Sequence, residues 1–289
     1  MNTNLWLIRR EFWENRAIWI IPAVFGALLI LTALFGHMNL PTLISPDEIH
    51  TFGAAFLVVF GLMFYSVMSL YATWYLLDCL YADRKDRSIL FWKSLPVSDT
   101  NTVLSKLIVA LIVIPVVSFV TADLTALLAA FIVSIRMRAS IGAALWQPDL
   151  WLQMQVLWIY AVFAAAIWYL PVAGWLMLVS AWAKRAVILW SFMPPLALYI
   201  VERWFLGSNV VGRVIGIRLT GLPAVALNPS GGKSWHVDAA TDTLSLPSSV
   251  LHFINPLGFL SNPQTLIGAA VGVVLIIGAI QLRMRRSEI

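Results

Sequence analysis

The stretch "DRKDRSILFWKSLPVSDTNTVLSK", residues 83–106, is a charged island between two long apolar runs. Before it lies "FGAAFLVVFGLMFYSVMSLYATWYLL" (52–77), and after it "LIVALIVIPVVSFV" (107–120). The first run, and the second once it is continued to residue 135, are each long enough to cross a hydrocarbon layer about 30 Å thick, which takes about 20 apolar residues in a helix. The island is then a loop between two membrane spans, and the rest of the chain follows the same grammar.

Of the 289 residues, 61% are hydrophobic and only 11% charged, with a mean hydropathy of +0.86. A soluble domain carries about a quarter charged residues and has no place to hide such an apolar surplus. The 14 Trp and 7 Tyr suit the membrane–water interface. The expected fold is therefore an all-α integral membrane protein. Six spans are predicted, at about 17–36, 52–77, 107–135, 156–182, 187–206 and 264–282. The runs are continuous rather than alternating, and a helix satisfies its own backbone hydrogen bonds in lipid. Only "AKRA" (183–186) divides the fourth span from the fifth, which predicts a tight turn there.

Lys and Arg set the orientation. Arg9, Arg10, Arg16, Arg84, Lys85, Arg87, Lys93, Lys106, Lys184, Arg185, Arg283, Arg285 and Arg286 flank one side. They outnumber Arg136, Arg138, Arg203, Arg213, Arg218 and Lys233 on the other. Both termini and the island are expected in the cytoplasm. No cleavable secretory signal is read at the start, because the first apolar run follows Arg9, Arg10, Glu11, Glu14 and Arg16 and lacks a small-residue cleavage site.

Residues 1–16 are expected to form an amphipathic interfacial helix: Leu5, Ile8 and Phe12 recur at helical spacing, with Trp6 and Trp13 beside them. Residues 207–263 are too long for a turn and hold short apolar pieces, "VVGRVIGI" and "VLHFINPLGFL", that dip back without spanning. Asn262 before Pro263 reads as the cap and first residue of the last helix. With no internal repeat, residues 1–289 form one membrane domain.

Several chemistries find no footing. The single cysteine, Cys79, excludes an internal disulfide and a Cys-based zinc site. His37, His50, His236 and His252 match no metal-ligand spacing. "NPSGGKSW" (228–235) lacks the first glycine of a phosphate loop, since Leu227 stands five residues before Gly232. No catalytic constellation and no basis for nucleic-acid binding emerge, so the chain is not expected to be an enzyme by itself.

Two features inside the spans stand out. Tyr65, Ser69 and Thr73 continue one polar line on the second span, suiting either a translocation surface or polar contact between helices. Asp123, midway in the third span, costs several kcal/mol in lipid unless paired or watered. It suits either the wall of a path or a helix–helix contact with Thr121, Thr125 or another span. Pro115, Pro171 and the pair Pro194-Pro195 predict kinks.

Within the island, Ile89, Leu90, Trp92 and Lys93 fall within two helical turns, Pro96 ends them, and Ser98 or Asp99 caps the next helix. A short helix presenting aromatics and cations is built to dock into a groove on another protein.

The N-terminal amphipathic helix, the six spans and the island's pattern together resemble the permease subunit of the type-2 ABC exporter family. The pattern is carried by Asp83, Arg84, Ser88, Ile89, Leu90, Trp92, Ser94, Leu95, Pro96, Val97, Ser98 and Lys106. The segment before the last span is similar to the family's outer re-entrant element. The resemblance implies a coupling helix at 83–98, with Asp83, Arg84, Arg87, Ile89, Leu90, Trp92, Leu95 and Pro96 as coupling residues and Lys184 and Arg185 as a second contact. It implies two copies of a separate ATP-binding subunit, which hold ATP and Mg, while this chain binds no cofactor or metal. A second permease subunit, as a homodimer, completes the path in a bacterial cytoplasmic (inner) membrane. The apolar, aromatic path suits a lipophilic or peptide-like cargo, as in antimicrobial efflux or immunity. A secondary transporter and a non-transporting membrane scaffold or immunity protein are the rival expectations.

Overall fold

The computed structural model describes residues 3–36, 46–86, 98–136, 142, 144–227, 237–238, 243–244 and 249–285. The described residues are helical apart from short connections and a two-residue antiparallel ladder, β1 (Val237–Asp238) with β2 (Thr243–Leu244). Five helical stretches have the length and composition to cross a membrane: Ala17–Phe35, Glu48–Lys85, Asp99–Arg136, Pro148–Trp168 and Pro263–Arg285. This is an α-helical membrane protein.

After α1 (Thr3–Glu14), α2 (Ala17–Phe35) forms the first apolar stretch. The second, α3 (Pro46–Lys85), runs for 40 residues, about 60 Å at 1.5 Å per residue. It outlasts the apolar window at both ends. Polar residues such as Asp78, Asp83 and Arg84 continue the hydrogen-bonded helix where lipid no longer demands hydrophobicity.

The third stretch starts at α4 (Asp99–Ile108), capped by Ser98, whose Oγ accepts from Asn101 N at 3.1 Å. A wide π-helical turn, Val109–Val113, joins it to α5 (Ile114–Arg136). That turn lies beside Pro115, which has no N–H for the Leu111 carbonyl and whose ring would crowd it.

The expected fourth span, 156–182, begins earlier and is broken. α6 (Pro148–Trp168) starts with proline in its first turn, where its missing N–H costs nothing. Tyr169 leaves the helical region, and α7 (Leu170–Trp182) follows. Pro171 cannot donate to the Ile167 carbonyl, yet Tyr169 N still donates to Ala165 O (2.8 Å) and Ala173 N to Tyr169 O (2.9 Å). The result is a kink, not a separation.

The turn at 183–186 is present, with Ala186 left-handed (φ 52°). α8 (Val187–Val201) and a second π turn, Glu202–Leu206, keep 187–206 helical throughout, although this stretch is not among the five. Gly207 (φ 63°) then reverses the chain into α9 (Val210–Thr220) and α10 (Leu222–Ala226). Glu202 fixes that reversal: its carboxylate accepts from Ser208 Oγ and from the backbone N–H groups of Val210 and Val211 at the start of α9. A 3₁₀ turn (Val250–Phe253), α11 (Pro256–Ser261) and α12 (Pro263–Arg285) complete the chain. Asn262 Oδ1 accepts from Gln264 N at 2.9 Å, as expected of a cap.

The tightest helix pairing joins α12 to α7 at the kink. A Cβ on Gly272 would stand 2.8 Å from the Leu170 carbonyl carbon and Pro171 N, and one on Gly174 2.9 Å from Gly272 O. Helices without a hydrophobic drive to associate in lipid gain from such close backbone approach. A core of Met68, Leu76, Leu80, Val103, Ile114 and Met177 binds α3, α4, α5 and α7 together.

Candidate functional site

Two features of the bundle hold chemistry: an ionic cluster where the island's stems meet, and a pair of cavities between α3, α5 and α6.

The cluster gathers side chains from four helices. Lys106 Nζ lies 3.0 Å from Glu11 Oε1 and 3.5 Å from Asp83 Oδ1. Arg283 donates through Nη1 to Asp83 (2.9 Å) and through Nε to Asp99 (3.0 Å). Tyr75 Oη donates to the other oxygen of Glu11 at 2.7 Å, and Arg10 Nη2 donates to Glu11 Oε1 at 2.7 Å. Glu11, Asp83, Lys106 and Arg283 are all buried. Among the described residues, the carboxylates of Glu11, Asp83 and Asp99 are met by the cations of Arg10, Lys106 and Arg283. Buried charge persists only when paired and hydrogen-bonded in this way.

Arg84 is buried beside it, and its Nη2 donates to the carbonyls of Ser180 (2.6 Å) and Ala183 (2.8 Å). These carbonyls end α7, so a cation there also faces the negative end of a helix dipole. The end of α3 is thereby fastened to the turn carrying Lys184 and Arg185, both exposed.

Asp83 and Arg84 thus turn into the bundle rather than outward, and set the island's stem from behind. The remaining expected coupling residues, Arg87, Ile89, Leu90, Trp92, Leu95 and Pro96, lie outside the described residues. Sequence reasoning missed Glu11, Tyr75, Asp99 and Arg283 as members of one cluster. Glu11 carried a signal: it falls on the same face of α1 as Leu7, Ile8 and Phe12, which a solvated charge would avoid. Arg283 carried none, since a terminal cation also satisfies the topology rule.

Of the expected path residues, the structure brings three together. Tyr65, Ser69 and Thr73 line a cavity of about 220 Å³ walled by α3, the π turn, α5, α6 and α7. The Ser69 and Thr73 hydroxyls donate to carbonyls of their own helix, Ser66 and Ser69. Asp123 is not part of that wall. It is half-buried and shares a side-chain hydrogen bond with Gln155 of α6, while Thr121 and Thr125 bond back to their own helix. Asp123 is a helix–helix contact.

A second cavity, about 410 Å³, lies between α3, α5, α6, α10 and the 3₁₀ turn. Tyr65, Ala165 and Tyr169 belong to both. Tyr65 stacks on Phe119 (centroids 5.7 Å apart) and Phe119 on Trp158 (4.7 Å), making a rigid aromatic wall.

At the far end of the bundle, Arg218 of α9 lies over the Trp168 ring (4.4 Å) and donates to Gln264 O at 2.8 Å, while Trp168 Nε1 donates to Arg218 O at 2.9 Å. Burial pulls the Arg218 guanidinium below its ordinary pKa. Tyr160 Oη donates to Ala226 O (2.8 Å), and Gln153 accepts from Val250 N (2.9 Å). Described parts of the 207–263 segment, α9, α10 and the 3₁₀ turn, are thus pinned to α6 and α12.

Among the described residues no group of His, Cys, Asp and Glu is placed to hold a metal ion. Comparison with protein-family models, with curated proteins and with solved structures finds no match.

Proposed function

We propose that this chain is the membrane-spanning subunit of an ATP-driven exporter of the type-2 ABC class, with 187–206 as a sixth span and both termini in the cytoplasm. Two copies of the chain line the path, in a bacterial inner membrane. Two copies of a separate ATP-binding subunit dock on the island and supply ATP and Mg. The cargo is lipophilic or peptide-like.

The observation that carries this reading is the clamp on the island's stems. Asp83 on one stem and Asp99 on the other are held by one guanidinium, Arg283. Lys106 ties the same stems to α1 through Glu11, and Arg84 ties them to the end of α7. A force on residues 87–97 is then delivered to α1, α3, α4, α7 and α12 together. A loop that only fixed topology would need no such framework.

The buried charges also favour a second reading, a secondary transporter, whose coupling groups are ionisable and buried. Such groups work near the bilayer midplane and change partners, whereas these are mutually neutralised at the ends of α3, α4 and α12.

The island itself is tested by replacing Trp92 and Leu95 together with Asp. Two docking anchors contribute at least about 2 kcal/mol, so association with the ATP-binding subunit, and transport with it, falls about thirtyfold or more. The variant still inserts in the membrane. Unchanged assembly and transport in that variant contradict the reading.

A further inference from the structure

The two cavities share Tyr65, Ala165 and Tyr169 in their walls. On α3 their linings include Val58, Leu62, Tyr65, Ser69, Thr73 and Leu76. Steps of three and four keep these residues on one helix face, and the stripe covers about 27 Å at 1.5 Å per residue, close to the hydrocarbon thickness. The space exists for identifiable reasons. Ala72, Ala110, Ala165 and Ala173 put only methyl groups on the walls. The π turn at 109–113 and the kink at Tyr169 interrupt the regular helices that border the first cavity.

The chemistry of the walls narrows the occupant. No charged side chain lines either chamber, so an ion would lose its hydration without compensation. The Ser69 and Thr73 hydroxyls already donate their protons to carbonyls of their own helix. At the neck, Tyr169 Oη donates to Leu219 O (3.2 Å), whereas Tyr65 Oη has no hydrogen-bond partner among the described residues. One free donor therefore stands between two apolar lobes.

We propose that this double chamber is a binding site, within a single subunit, for an elongated uncharged lipophile carrying a hydrogen-bond acceptor, such as an ester or amide carbonyl, between two apolar lobes. Tyr65 Oη donates to that acceptor, and the Tyr65–Phe119–Trp158 stack holds the donor in place. Its role as a cargo site rests on the exporter reading; the binding itself does not.

The test uses the full chain in phosphatidylcholine nanodiscs, photolabelled with a long-chain acyl ester bearing a diazirine at its chain end, and with the matching hydrocarbon that lacks the ester. Peptides of α3 and α6 carry the label. Ala165→Trp, which fills the wall shared by both chambers, removes most of it. Tyr65→Phe keeps the ring stack and weakens the ester probe about fivefold, leaving the hydrocarbon unchanged, and this variant decides the matter if Ala165→Trp fails to fold. Labelling that is insensitive to both variants, or spread equally over α2 and α12, is bulk-lipid contact only and overturns the site. Variant-sensitive labelling with no ATPase bound to the chain leaves the site standing and removes the exporter reading. A bound ATPase without variant-sensitive labelling does the reverse.

Discussion

Lys106 and Arg283 each serve two acceptors, and neither can be removed without leaving a buried carboxylate short of a partner. Breaking a buried ion pair from one side costs about 3–5 kcal/mol, more than the intact pair contributes. Arg283→Ala is therefore expected to lower the unfolding midpoint of the detergent-purified protein sharply, because Asp83 and Asp99 lose their shared donor. Adding Asp83→Asn removes one stranded charge, so the double variant recovers about 1–3 kcal/mol relative to the sum of the two single changes. A strictly additive pair of effects contradicts the cluster as drawn. Glu11 follows the same logic from the other side: it accepts from Tyr75, Arg10 and Lys106, which makes α1 part of the bundle rather than a loose interfacial tail.

Among elements, α12 and α7 depend on small residues where they cross. Gly272→Leu drives a side chain into the Leu170–Pro171 backbone, which has no room to yield. Gly278 on the same helix meets only the end of the Leu178 side chain, 3.1 Å from the added Cβ, which can rotate away. Gly272→Leu is expected to destabilise by about 3 kcal/mol or more and Gly278→Leu by about 1 kcal/mol, over the range known for overpacking, as read by thermal unfolding in detergent. Equal effects contradict the pairing.

The apolar runs of these elements were legible because lipid leaves a spanning segment no alternative to a continuous hydrophobic helix. The turn at 183–186 and the cap at Asn262 were legible from local chemistry. The ends of α3 and α6 were not, since a helix persists past the apolar window wherever its hydrogen bonds can continue. Nor were the pairings: Tyr75 meets Glu11 across 64 residues and Asp83 meets Arg283 across 200, and nothing local distinguishes a cation destined for a buried pair from one facing water. Tyr65, Ser69 and Thr73 were legible as a stripe, but the void beside them comes from alanines and helix irregularities on three other elements.

For the whole molecule, the described residues form a helical bundle with a buried ionic cluster at one end, two apolar cavities in its interior, and Arg218 packed on Trp168 at the other end. The exporter reading requires that the loop be gripped by a second protein that hydrolyses ATP. Purification of the full chain from its native membrane in mild detergent tests this most directly. An ATPase is expected to co-elute with the chain and to be lost when Trp92 and Leu95 are both replaced with Asp. A chain that elutes without any ATPase, while its unfolding midpoint shows it to be intact, would contradict it.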